Sequence, residues 1–139
     1  MAENLQLDIV SAEGELFSGE VRSVSAPAEM GEVGIHRNHA PLLTMLKAGA
    51  LRIEDDKGEI QSFFVSGGIL EVQPHLVTVM SDTAERAADI DEAAAEEARK
   101  RAEEALEQAK SDIDIAHAQA ELAAAAARHQ LVQKLKGKR

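Results

Sequence analysis

The chain has 139 residues, 45% of them hydrophobic but only 2% aromatic, which suits one small domain, or a small domain with an appendage, built on an aliphatic core. Its formal net charge of −10 argues against nucleic acid or an anionic membrane surface as the main partner, since both reward clustered Lys and Arg, and favours a protein partner. The absence of cysteine excludes a disulfide framework and a thiolate metal site.

The N-terminus, MAENLQLD, has neither a basic nor an apolar leader segment, and the longest apolar run, Leu122 to Ala127, is far below the roughly 20 residues that span a bilayer. A soluble, unsecreted chain is expected. Leu5, Leu7 and Ile9 alternate with Gln6 and Asp8 as in a half-buried strand. Glu13, Gly14, Ser18 and Gly19 supply turn residues before a strand over Val21 to Ala26. Gly31 to Thr44, GEVGIHRNHAPLLT, reads as a turn-rich loop that empties into Leu42 and Leu43, which are expected to anchor it in the core. Leu51 and Ile53 lead to a turn at Asp55-Asp56-Lys57-Gly58, and Ile60 to Val65 makes the return strand. Strands over Ile69 to Val72 and Leu76 to Met80, separated by Pro74, complete an antiparallel sandwich or flattened barrel.

Near Thr83 the composition changes, because no Gly or Pro occurs between Pro74 and Gly137. From Ala87 to Arg128, 17 of 42 residues are alanine, mixed with other strong helix formers. Asp89 with Glu92 resembles a capping arrangement for a first helix, and Ser111 caps a second. Apolar stripes at 90, 94, 98, 102, 105 and 109, and at 113, 120, 124, 127, 131 and 135, predict an antiparallel helical hairpin. Its alanine seam permits close approach with little hydrophobic stabilisation, at about 0.8 kcal/mol per buried methyl, so the hairpin is expected to be able to leave the sandwich and extend. The fold class is therefore α+β, with a β-sandwich over 1–86 and a hairpin over 87–139.

Charge follows the same division. The net charge is −8 over residues 1–84 and −7 over 85–121, after which Arg128, Lys134, Lys136, Lys138 and Arg139 stand without an acid. That basic end suits an acidic protein partner and also complements the helix C-terminal dipole. No P-loop, nucleophile elbow or helical HExxH is present, so no catalytic residue is assigned. Glu32, His36 and His39 are acceptable metal ligands by type, but three such residues in one loop are a weak signal and no metal is assigned. His75, His117 and His129 are isolated and read as surface or interface side chains.

Four segments carry a resemblance: LDIVSAEGELFSG (7–19), GEVGIHRNHAPLLT (31–44), SGGILEVQP (66–74) and VTVMSDTAER (77–86). In this order and spacing they resemble the epsilon-subunit family of bacterial F-type ATP synthases, over essentially the whole chain. The resemblance implies a non-catalytic subunit of the central rotor, coupling proton flow to ATP synthesis on the cytoplasmic face of the plasma membrane, which it meets only through the complex. It implies that Glu32 and His39 face the c-ring and Ser11 the gamma subunit. It further implies that the hairpin inhibits ATP hydrolysis when Arg128, Lys134 and Lys136 meet acidic segments of the alpha and beta subunits.

Some members of that family bind ATP through a motif of Ile or Leu, Asp, two variable residues, Arg and Ala. Here positions 90–95 read IDEAAA: Ile90, Asp91 and Ala95 match, but Ala94 replaces the arginine and its phosphate-matching donors. No cofactor is therefore assigned, and an ATP-sensing hairpin is the alternative. A second departure is Arg37-Asn38 where a Pro-Gly or Pro-Asn step is frequent; Asn tolerates the positive φ that such a turn needs.

Overall fold

The computed structural model describes residues 4–137 and contains nine described strands followed by two helices; Lys138 and Arg139 of the basic end lie outside it. The strands are β1 (Leu5–Ser11), β2 (Gly14–Ala28), β3 (Gly31–Ile35), β4 (Leu42–Leu46), β5 (Gly49–Asp55), β6 (Ile60–Val65), β7 (Gly68–Val72), β8 (Leu76–Met80) and β9 (Ala84–Arg86). A 3-10 turn over Ala87–Asp89 leads to α1 (Glu92–Gln108) and α2 (Asp112–Gly137).

Strand order is β1-β8-β7-β4-β2-β5-β6-β9, with β3 on β2 and β1 returning to β2. The long β2 serves both layers of the sandwich. Its first half pairs β1, and its second half pairs β3 and β5 across a register shift between Val21 and Ser23. The turn expected at Ser18-Gly19 does not form, because both residues are held in the β1 ladder. One departure from the antiparallel expectation is β1, which runs parallel to β8; nearly the whole sandwich separates them, which gives room for the crossover such a pair requires.

Side-chain alternation sends Leu5, Leu7 and Ile9 inward to meet Val24, Ile53, Phe63, Leu70, Val77 and Val79 in an aliphatic core with one fully buried aromatic ring. Two glycines are demanded by geometry. Gly58 closes the Asp55–Gly58 turn at φ 84°, as expected, and Gly68 sits at φ 132° where a Cβ would meet the Met80 carbonyl oxygen at 2.0 Å.

The hairpin forms, with its capping and facing shifted from expectation. Asp91, not Asp89, caps α1: its Oδ1 accepts from the Ala94 backbone N–H at 3.0 Å. Residues 87–89 instead take the 3-10 turn, and Ile90 is extended at φ −79°, ψ 126°. The stripe expected from Ile90 is therefore met only in part: Ile90 is buried and Ala98 and Ala102 lie inward, but Ala94 and Ala105 are exposed. Ala95 is buried and Ala94 is exposed, and Ala98, Ala102 and Leu106 continue the inner side. In α2, Ala124, Ala127, Leu131 and Leu135 pack as expected, against Phe64 and Ala50, but Ile113 is 82% exposed and Ile115, Ala118 and Leu122 turn inward. The cause is that α2 packs on α1 as well as on β5 and β6, so no single stripe serves its length. The turn is made without Gly or Pro: Ala109 becomes extended at ψ 132°, and the Ser111 hydroxyl accepts from the Asp114 N–H at 3.1 Å, the expected cap.

Candidate partner-binding surfaces

On the outward side of the β4-β7-β8-β1 layer, Met45 faces Ile69, Ile69 faces Met80, and Met80 faces Val10 in consecutive ladders. Met45, Ile69 and Met80 are exposed, and Leu43 extends the row at 69% exposure. Exposed Leu43, Met45, Ile69 and Met80, with half-buried Val10 beside them, make this face a candidate interaction surface, since the wet side of a sandwich ordinarily carries polar residues. Ser11 adjoins the row: it lines an open cleft of about 420 Å³ with Val10, Ile69 and Met80. Its hydroxyl donates to the Gly14 carbonyl at 3.3 Å and accepts from the Glu13 N–H at 3.2 Å, which fixes the β1–β2 turn. Sequence reading singled out Ser11 but missed the row. The available signal was the unbroken apolar step within GIL and VM, where an antiparallel strand with a wet face would place a polar residue.

The Gly31–Thr44 stretch is less of a loop than its composition implies. Its first five residues are β3, and only 36–41 form the connection. Asn38 takes φ 67° and donates its N–H to the Pro74 carbonyl at 2.9 Å, so the positive φ expected there is present. Leu42 packs against the core, whereas Leu43 points out and anchors nothing, because successive strand residues alternate sides. Met30, at the β2–β3 turn, is 96% exposed two residues before Glu32.

Glu32 and His39 lie at different ends of this stretch. The carboxylate of Glu32 accepts from the Ser25 hydroxyl and from the Arg52 guanidinium at 2.9 Å. Those two bonds, Ser25 first, hold its carboxyl below the ordinary carboxylate range, and Lys134 of α2 adds a favourable charge. The His39 ring nitrogen Nδ1 lies 2.7 Å from the Ala40 carbonyl. His36 instead borders a cleft of about 500 Å³ beside Ser25, Arg52 and Leu135. Among the described residues no three His, Asp or Glu side chains are gathered as a metal would require.

Hairpin and sandwich meet over Phe64. In the β6–β9 ladder Phe63 opposes Arg86 and Phe64 opposes Glu85, so each pair shares a side of the sheet. Inward, Arg86 lies 5.4 Å from the Phe63 ring centre and 6.0 Å from that of Phe17, and donates to the Leu16 carbonyl at 2.9 Å. Outward, Glu85 receives Arg128 of α2 in a two-bond pair of 2.7 and 3.1 Å. Lys134 borders a cleft of about 620 Å³ with Glu32 and Arg52, and Lys136 pairs with Glu92 of α1 at 3.2 Å. The three basic residues thus bind differently: Arg128 to the sandwich, Lys136 to α1, Lys134 near Glu32. Of the nucleotide-motif residues, Ile90 and Ala95 are buried in the cluster around Phe64, Asp91 is engaged as the α1 cap, and Ala94 faces solvent.

No helix among the described residues is long and apolar enough to cross a membrane. The beta-sandwich domain of the ATP synthase Delta/Epsilon chain matches residues 4–87, and the long alpha-helix domain of the same chain matches residues 88–133. The chain is 60% identical over 91 residues to the ATP synthase epsilon chain of Nitrosococcus oceani, covering 66% of this chain and 65% of that one. It is 57% identical over 91 residues to ATP synthase epsilon chain 1 of Methylococcus capsulatus, again 66% and 65%. These matches therefore span just under two thirds of the relatives' own length. In fold it is similar to a chain of the Euglena gracilis mitochondrial ATP synthase, OSCP/F1/c-ring, with TM-score 0.76 and 19% identity over 88% of this chain and 78% of that one. It is also similar to a chain of the Tetrahymena thermophila mitochondrial ATP synthase central stalk/c-ring, with TM-score 0.62 and 12% identity over 94% and 97%. The two domain matches, in order and together reaching from residue 4 to residue 133, place this protein in the ATP synthase delta/epsilon chain family.

Proposed function

We propose that this chain is a non-catalytic central-stalk subunit of an F-type ATP synthase, linking the gamma subunit to the c-ring and restraining ATP hydrolysis through its helical hairpin. The observation that carries the reading is the outward apolar row of Met45, Ile69, Met80 and Val10 beside Ser11, on a chain whose two halves match the two domains of this family. In this reading the row and Ser11 face gamma, while Glu32 and His39, with the exposed Met30, face the ring. Residues 1–86 act as the coupling unit and 87–139 as the regulatory unit, whose Arg128, Lys134 and Lys136 meet acidic segments of alpha and beta. The complex would place the chain at the cytoplasmic face of a bacterial plasma membrane, and its relatives from Nitrosococcus oceani and Methylococcus capsulatus support that setting.

Capture of purified gamma by the full chain tests the assignment. Met80→Glu, which puts a carboxylate into the row without touching the core, is expected to weaken capture at least tenfold, and equal capture by this variant would remove the row from the interface. Ending the chain after Ala87 is expected to preserve gamma capture and raise ATP hydrolysis by the assembled complex. Unchanged hydrolysis would count against the regulatory half.

A further inference from the structure

The hairpin rests on the sandwich through a cluster poor in large side chains: Phe64, Leu131, Val132 and Leu135, filled out by alanines. Polar contacts divide unequally over this interface. Lys136 and Gln133 bind Glu92, and His129 lies 2.5 Å from Glu96, so all of these join α2 to α1. They travel with the hairpin when it leaves as a unit. Among the described residues the ion pair between α2 and a strand is Glu85 with Arg128.

Its two ends are mounted differently. Glu85 precedes Arg86, whose guanidinium is held by the Leu16 carbonyl and the Phe17 and Phe63 rings, so the acceptor stands on a rigid part of the sandwich. Arg128 rides on the helix. Both side chains are partly screened from water, at 23% exposure for Arg128 and 32% for Glu85, and the fork of the guanidinium matches the carboxylate in two bonds. Undocking breaks this pair while leaving the α1–α2 contacts whole.

We propose that Glu85–Arg128 is a release latch: the carboxylate on β9 holds α2 down, and a surface of clustered carboxylates on a partner releases it by taking the same guanidinium. For Arg128 the exchange is one carboxylate for another, so the guanidinium stays paired in both states, while Glu85, at 32% exposure, is left to water in the released one. Its regulatory meaning rests on the reading of the hairpin given above, whereas the latch itself is a property of the isolated chain.

Because the chain has no cysteine, Glu59→Cys and Gln130→Cys, both at exposed positions, can carry a unique pair of spin labels on the full-length protein. The distance distribution then gives the ratio of undocked to docked hairpin. Glu85→Gln and Arg128→Gln are each expected to raise this ratio roughly fivefold to tenfold, the range for a two-bond pair that is partly solvated. Arg128→Lys, which keeps the charge and loses the fork, is expected to fall between. The exchanged pair Glu85→Arg with Arg128→Glu is expected to return the ratio to within about twofold of the parent. Polyglutamate is expected to raise the ratio in the parent and not in Arg128→Gln. An unchanged ratio in Glu85→Gln overturns the latch, as does an exchanged pair no better docked than the single variants. Either result leaves the rotor reading to stand or fall on gamma capture.

Discussion

The sandwich and the hairpin are held by different kinds of burial. In the sandwich, Leu7, Ile9, Leu51, Ile53, Phe63 and Leu70 are fully enclosed, and ladder hydrogen bonds run between neighbouring strands. In the hairpin, the buried residues of the helices are Ala95, Ala118, Leu131 and Val132, and most helical side chains remain in contact with water. A buried leucine contributes about two to three times what an alanine methyl does, so the sandwich is a stable platform and the hairpin a weakly attached one. Attachment of this kind is expected to be adjustable, set by a few residues whose change leaves the platform folded.

Substitutions can break or sharpen that contrast. The largest effect is expected from Phe63→Ala, which empties the centre of the sandwich core and should lower stability by about 3–5 kcal/mol in denaturant unfolding. Next is Leu131→Ala, expected to cost about 2–3 kcal/mol but only at the hairpin. Helix circular dichroism should then show an early transition while the sandwich transition keeps its midpoint. If both transitions move together, the two regions are one cooperative unit and the contrast fails. Ser111→Ala removes the α2 cap and should cost about 1 kcal/mol, again in the early transition.

The smallest effect concerns pH. The carboxyl of Glu96 is held below its ordinary value of 4.5, first by the hydrogen bond from Arg99, then by the charges of Arg99, His129 and Lys100. A lowered carboxylate stabilises the hairpin above that value and loses this contribution as the pH falls below it. The helical transition should therefore weaken below pH 4.5 more in the parent than in Glu96→Gln, and parallel profiles would exclude a role for this carboxylate.

Much of the architecture was legible in the chain. Alternation at Leu5, Leu7 and Ile9, the Asp55–Gly58 turn and the Ser111 cap all appear where periodicity and turn chemistry put them. Helix facing was legible at Ile90, Ala98 and Ala102 but not at Ala94 and Ala105, whose places on the inner side are taken by Ala95 and Leu106, because Ile90 is extended and lies outside the helix that its phase was meant to set. At the candidate site, Ser11 and Glu32 are named by the family resemblance and Arg128 by the run of bases after Glu121, but their neighbours could not be named. The apolar row of Met45, Ile69, Met80 and Val10 comes from three separate ladders, and Glu85 meets Arg128 across 43 residues.

Composition and local pattern decide which segments are strand and which are helix, since alanine-rich runs without Gly or Pro favour helix and short alternating runs between turns favour sheet. They also set how much apolar surface the helical half has to bury, which is little, because alanine carries one methyl. Only the tertiary structure decides what each half presents to a partner. Strand order brings distant residues into one row, and the docking of α2 spends Arg128 on Glu85 while leaving Lys134 beside Glu32. The physical reason is that such rows and pairs join residues far apart in the chain, whereas periodicity carries information only about neighbours.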